Sequence, residues 1–83
     1  MKMYIEFETP NTASAGETML LYALGEELAL TSKHVNRYSR ISPEIVRIEV
    51  EGFEDQTKAL CHIYNLLRCS KNYMAHTCFV TIV

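Results

Sequence analysis

The stretch IVRIEVE, residues 45–51, decides the fold, because its apolar and charged side chains alternate without a break. A strict period of two is typical of a strand with one face against a core and the other in water. Gly52 ends the pattern. The apolar members are expected to face the core and the charged members the solvent: Val46, Ile48 and Val50, against Arg47, Glu49 and Glu51.

The N-terminal residues 1–8 follow the same alternation and predict a second strand of this kind. Pro10 and Asn11 end it, because proline cannot donate to a sheet ladder. Its two predicted faces are Met1, Met3, Ile5 and Phe7 on the core side, and Lys2, Tyr4, Glu6 and Glu8 on the open side.

Two helices are predicted between the strands. Ser14 followed by Glu17 matches a capping box, which predicts a helix over about residues 15–32. Asp55 is a good N-cap for a second helix over about 55–70. Each helix carries apolar residues at spacings of three and four, which is typical of a helix packed on a core. The stripes are Leu20, Leu21, Leu24 and Leu28, with Glu26 and Glu27 opposite, and then Leu60, Ile63, Tyr64 and Leu67.

Residues 33–42 admit two interpretations. Val35, Arg37, Ser39 and Ile41 alternate with Asn36, Tyr38 and Arg40, which favours an exposed edge strand protected by basic side chains. The alternative extends the first helix to about residue 39, because Val35 and Tyr38 also keep helical spacing. We favour the strand, followed by a turn at Ser42-Pro43-Glu44.

Residues 76–83 are rich in β-branched and aromatic side chains and predict a last strand. The order β-α-β-β-α-β predicts a single α+β domain over residues 1–83. Its arrangement would be the ferredoxin-like split βαβ, a four-stranded antiparallel sheet with two helices on one face. If residues 33–41 were helical, the alternative would be a three-stranded βαβαβ two-layer sandwich.

The composition restricts the class of protein. The chain has 83 residues and 48% hydrophobic content, which is normal for one globular domain. No apolar run is long enough to span a bilayer, and Glu6 and Glu8 are incompatible with a signal-peptide core. Three cysteines without such a signal suggest reduced thiols. We therefore expect a cytoplasmic chain without a membrane partner.

No catalytic or metal-binding constellation is evident. The three cysteines and three histidines lack metal-ligand spacing, so neither a metal nor another cofactor is expected. His76 and Cys78 share a strand face, but no acid lies nearby to orient the histidine as a base. The loop Thr9–Gly16 lacks the glycines and lysine of a phosphate loop. The chain is therefore expected not to be an enzyme.

The open side of the two alternating strands is rich in acids, and it is the leading candidate site. The predicted partner-binding residues are Tyr4, Glu6, Glu8, Glu49 and Glu51. Such a surface suits a basic partner, because charge complementarity speeds association and selects the partner. The leading hypothesis is a small regulator or inhibitor that docks on a larger protein or ribonucleoprotein complex. Small phage or mobile-element proteins that block host defence share this size and charge.

Two further hypotheses involve other surfaces. RNA or DNA binding would use the basic stretch, whose candidate residues are Lys33, Arg37, Tyr38, Arg40 and Arg47. The last strand is uncharged and would readily pair with another chain if it lies at a sheet edge. It is therefore the candidate surface of a homodimer. Its residues are Phe79, Val80, Thr81 and Ile82. A dimer that senses a small molecule is a weaker variant of this hypothesis.

Overall fold

The structure is a computed structural model that describes residues 2–10, 14–73 and 78–83. These ranges form four strands and two helices, and the α+β ferredoxin-like prediction is confirmed. The elements in chain order are β1 (Lys2–Glu8), α1 (Ala15–Thr31), β2 (Val35–Ser42), β3 (Ile45–Glu51), α2 (Gln56–Cys69) and β4 (Phe79–Ile82).

The strands form one sheet in the order β2-β3-β1-β4, and every neighbouring pair is antiparallel. The two alternating strands β1 and β3 lie side by side at the centre, with Ile5 opposite Ile48. Helix α1 contacts β2 and β3, and α2 contributes Ala59, Ile63 and Leu67 to the same core. Because β2 is a strand, the three-stranded alternative is wrong.

The core lies between the sheet and the two helices. Among the described residues it contains, as predicted, Met3, Ile5 and Phe7 of β1 and Val46, Ile48 and Val50 of β3, together with one stripe from each helix. Burial of each large aliphatic or aromatic side chain contributes roughly 1.5–3 kcal/mol. The largest contributors are Ile5, Phe7, Leu21, Leu24, Leu28, Ile48, Ile63 and Leu67.

Both predicted helix starts are confirmed. The Ser14 hydroxyl accepts from the Glu17 backbone N–H at 3.2 Å, and the Glu17 carboxylate accepts from the Ser14 N–H at 3.4 Å. Asp55 accepts from the Lys58 N–H at 2.8 Å. These bonds satisfy backbone donors that have no partner within the helix.

A glycine lets α1 lie close to the sheet. A Cβ atom on Gly25 would come within 2.6 Å of Val46 Cγ1 and 3.5 Å of Tyr38 Cβ. Any side chain at this position would therefore force Val46 or the helix itself to shift.

Strand β2 is irregular, and its predicted faces need correction. Val35 pairs with Val50 and Arg37 pairs with Glu49, so the register shifts between them. The extra residue Asn36 makes a bulge, and beyond it Tyr38, opposite Ile48, continues the core side of Val35. The predicted grouping of Val35 with Arg37, Ser39 and Ile41 on one face is therefore wrong.

Strand β4 begins at Phe79, and the predicted strand residues 76 and 77 lie outside the described ranges. Met1, predicted to start the first strand, and residues 11–13, predicted as part of a loop, also lie outside the described ranges. Within the described ranges, neither helix has the length and apolarity needed to cross a membrane.

Candidate functional site

The candidate site is the open face, by which we mean the side of the sheet that carries no helix. The antiparallel register places Tyr4 opposite Glu49 and Glu6 opposite Arg47. All five predicted partner-binding residues therefore lie on one surface. The open face comprises Lys2, Tyr4, Glu6, Glu8, Arg37, Ser39, Arg47, Glu49, Glu51, Phe79 and Thr81.

Glu49 lies at the centre of a polar network and is only 6% exposed. The Tyr4 hydroxyl donates to it at 3.1 Å and the Asn36 amide at 3.4 Å. Lys2 Nζ and Arg37 Nε lie 3.6 and 3.5 Å from its two oxygens. The network thus ties β1 and β2 to a carboxylate on β3.

These partners decide the charge state of Glu49. Burial by itself would raise the pKa of this carboxyl group. The hydrogen bonds from Tyr4 and Asn36 and the charges of Lys2 and Arg37 outweigh burial, so the pKa of Glu49 lies below its ordinary value. Glu49 is therefore ionised at neutral pH and already paired within the chain.

Glu6 is also paired within the chain. Arg47 donates to the same carboxylate oxygen of Glu6 from Nε at 2.9 Å and from Nη2 at 2.6 Å. The guanidinium carbon also lies 6.0 Å from the centre of the Tyr4 ring, within reach of a cation–π contact. Glu6 is consequently neutralised by its own neighbour.

The open face is less acidic than a count of carboxylates suggests, because Lys2, Arg37 and Arg47 lie among them. Among the described residues, Glu8 and Glu51 are the carboxylates of this face that form no ion pair. Glu51 accepts a hydrogen bond from the Asn36 amide at 3.0 Å. The carboxylates that remain available to a partner are therefore Glu8 and Glu51, at the two ends of the face.

The predicted basic residues do not form one surface. Arg37 and Arg47 lie on the open face beside glutamates. Tyr38 lies on the helix side, where its ring meets Tyr22 edge-on at 5.5 Å, and its pKa is raised by the hydrogen bond with Tyr22 and then by burial. Arg40 Cζ lies 5.4 Å from the Tyr22 ring centre. Lys33 belongs to the turn that precedes β2.

Comparisons of this chain with protein-family models, with curated proteins and with solved structures found no match. A ferredoxin-like fold alone assigns no function, because one fold hosts many functions. The function is therefore argued from the chain's own surfaces.

A serine and two histidines meet where α1 ends, a contact that no sequence pattern predicts. Ser32 Oγ lies 2.7 Å from His62 Nε2 and accepts from the His34 N–H at 3.2 Å. Burial, and then His34, lower the pKa of His62. Ser32 itself is buried. The contact joins α1, β2 and α2.

The cysteines also differ in exposure. Cys61 and Cys69 are exposed, whereas Cys78 is buried and burial raises its pKa to about 11. Cys78 is therefore a protonated core residue rather than a nucleophile. Its predicted neighbour His76 lies outside the described ranges. In the part of the chain that the structure describes, no three potential ligands form a metal-binding group.

The predicted dimer strand β4 is an edge strand, because β1 is its one neighbour among the described strands. Phe79 is 60% exposed and Val83, just beyond the strand, is 58% exposed. Phe79 and Thr81 point to the open face, opposite Glu8 and Glu6, whereas Val80 and Ile82 point to the helix side.

The outer side of α1 is a second apolar surface, which the sequence analysis missed. Met19 is 69% exposed and Leu30 is 78% exposed. Glu27, predicted to face solvent, accepts instead from Ser70 and Asn72 at 2.8 Å. The signal was the nearly continuous apolar composition of residues 19–24, which exceeds what one buried stripe requires.

Proposed function

We propose that this chain is a non-enzymatic interaction domain that docks its open face on a larger protein or ribonucleoprotein complex and regulates or inhibits it. The observation that carries the proposal is the fixed network around Glu49, with carboxylates that form no ion pair at both ends of the same face. A small domain that covers a partner's working surface needs no chemistry of its own.

The network favours binding because it is already formed. Glu49 and Glu6 each have partners from neighbouring strands, so their side chains lose little freedom when the face is covered. Tyr4 and Arg37 are of the residue types that are enriched in protein interfaces. The open face therefore offers ordered polar contacts around an exposed tyrosine.

The available charges favour a basic partner. Glu8 and Glu51 remain to meet lysine or arginine side chains, whereas Glu6 and Glu49 are occupied within the chain. Charges at the rim of an interface act mainly on the rate of association and on partner choice. A second copy of the chain is a further candidate partner, at the β4 edge.

The test is affinity capture from the source organism with matched baits. Reversal of Glu8 and Glu51 to lysine is expected to abolish capture of a stoichiometric partner. Reversal of Glu26 and Glu54 changes the net charge equally at exposed positions outside the open face, and it should leave capture unchanged. Glu6 and Glu49 are left intact because their ion pairs support the sheet.

A partner that the Glu8→Lys/Glu51→Lys bait still captures would contradict the proposal, and so would the absence of any partner. Binding of the free chain to RNA or DNA that weakens steeply with salt would instead support the nucleic-acid hypothesis.

A further inference from the structure

No other described strand pairs with the outer edge of β4, and the backbone groups directed to that edge follow from the register. The Val83 N–H donates to the Tyr4 carbonyl at 3.0 Å, so Val83 points its backbone toward β1. In an antiparallel ladder the direction alternates with each residue. Val80 and Ile82 therefore direct their N–H and C=O groups away from β1, to the free edge.

Two large side chains of α2 lie on the side of that helix directed away from α1. His62 marks the side of α2 that faces the end of α1, through its hydrogen bond to Ser32. Leu60 and Tyr64 are each two residues away, and so lie about 160° around the helix from His62. Tyr64 is 42% exposed, and it neighbours Tyr73, which in turn neighbours Cys78 just before β4. We call Leu60 and Tyr64 the α2 flank.

We propose that a second copy of this chain binds here, with β4 pairing antiparallel to its counterpart across a two-fold axis. Val80 of each copy would exchange both backbone hydrogen bonds with Ile82 of the other. Thr81 would then face Thr81 across the axis. The product is an eight-stranded sheet whose two open faces lie on the same side.

A second copy fits this edge better than an unrelated partner does. Antiparallel pairing of a strand with itself closes on a two-fold axis, so both free edges are satisfied at once. The described residues from Cys78 to Val83 carry no charge, so two copies meet there without repulsion. A four-residue strand alone is a small interface, and the α2 flanks of the two copies enlarge it.

The inference is independent of the docking proposal, because it uses the strand edge and the helix side rather than Glu8 and Glu51. Mass measurement in solution tests it directly. We expect a particle of twice the 9.5 kDa of one chain, in equilibrium with the monomer.

Thr81→Lys should raise the dissociation constant at least ~10-fold, because the new lysines face each other across the axis. Within one copy the lysine lies opposite Glu6 and is tolerated. Ser39→Glu is the matched control, since it adds a charge opposite Arg47 on the other edge strand. A wild-type chain that is monomeric at every soluble concentration would overturn the inference, and so would a dimer that Thr81→Lys leaves intact.

An engineered disulfide between two copies tests the proposed register of the β4–β4 pairing. Residues facing each other at a non-hydrogen-bonded position lie about 4.5 Å apart at Cα, within disulfide range. In a Cys61→Ser/Cys69→Ser background, Thr81→Cys should therefore form an intermolecular disulfide under mild oxidation, whereas Ser39→Cys should not. Equal cross-linking of the two variants, or none at Thr81→Cys, would refute this pairing.

Discussion

The two edges of the sheet are built differently. Strand β2 has eight residues, two register shifts and the basic residues Arg37 and Arg40. Strand β4 has four residues, no register shift and no charge. Bulges and basic side chains are the usual means by which edge strands avoid pairing with other chains. Of these protective features, β4 has only its short length.

The helices repeat this difference. Helix α1 packs tightly against β2 and β3 at Gly25, and Tyr38 of β2 is covered by Tyr22. On α2, by contrast, Tyr64 is 42% exposed. The β2 edge is thus covered by contacts within the chain, whereas Phe79 on the β4 edge stays 60% exposed.

The largest expected effect comes from disrupting the close packing of α1 at Gly25 against β2 and β3. Gly25→Leu should lower the free energy of unfolding by about 3 kcal/mol, because the new side chain overlaps Val46 and Tyr38. Urea denaturation measures the loss.

Gly16→Ala is the control for this substitution. A Cβ at Gly16 meets only Ser14 Oγ, at an ordinary 3.7 Å, so stability should change by less than about 1 kcal/mol. Equal stabilities of the Gly25 and Gly16 variants would show that close packing of α1 does not secure β2.

An intermediate effect is expected when the basic side chains that protect the β2 edge are removed. Arg37→Thr with Arg40→Thr gives β2 the uncharged character of β4, so each copy would present two adhesive edges. Sedimentation velocity should then detect species larger than a dimer. The Arg37→Lys/Arg40→Lys variant keeps the charges and should sediment like the wild type. If the threonine variant also sediments like the wild type, the bulges alone are enough to keep β2 from pairing with other chains.

The smallest expected effect is on the pH dependence of stability, and it comes from Glu49. The pKa of Glu49 is lower in the folded chain than in the unfolded chain, so its ionised form stabilises the fold above the unfolded pKa. This contribution is lost as the pH falls through the folded pKa. Between about pH 5 and pH 3, stability should therefore fall less steeply in Glu49→Gln than in the wild type. Glu54→Gln, at an exposed position, should keep the wild-type slope.

The fold was largely predictable because its strongest signals are local. The alternation in residues 1–8 and 45–51 predicted both central strands and their buried faces, and the caps at Ser14 and Asp55 predicted both helix starts. Such patterns depend on neighbours within a few residues, which the sequence displays directly.

The irregular edge and the charges of the open face were harder to predict. The bulge at Asn36 places Val35 and Tyr38 on one side of a strand at a spacing of three, which imitates a helix. The neutralisation of Glu6 by Arg47 depends on the register between β1 and β3, two segments about forty residues apart in sequence, for which no sequence pattern gives the alignment.

The thiols of this chain have a practical consequence. Cys61 and Cys69 are open to an alkylating reagent in the folded chain, whereas Cys78 is buried immediately before β4. Modification of Cys78 is therefore expected to require a local opening that exposes its thiol. The rate of this modification measures local opening near Cys78. Mass spectrometry follows it on the natural sequence, without any introduced probe.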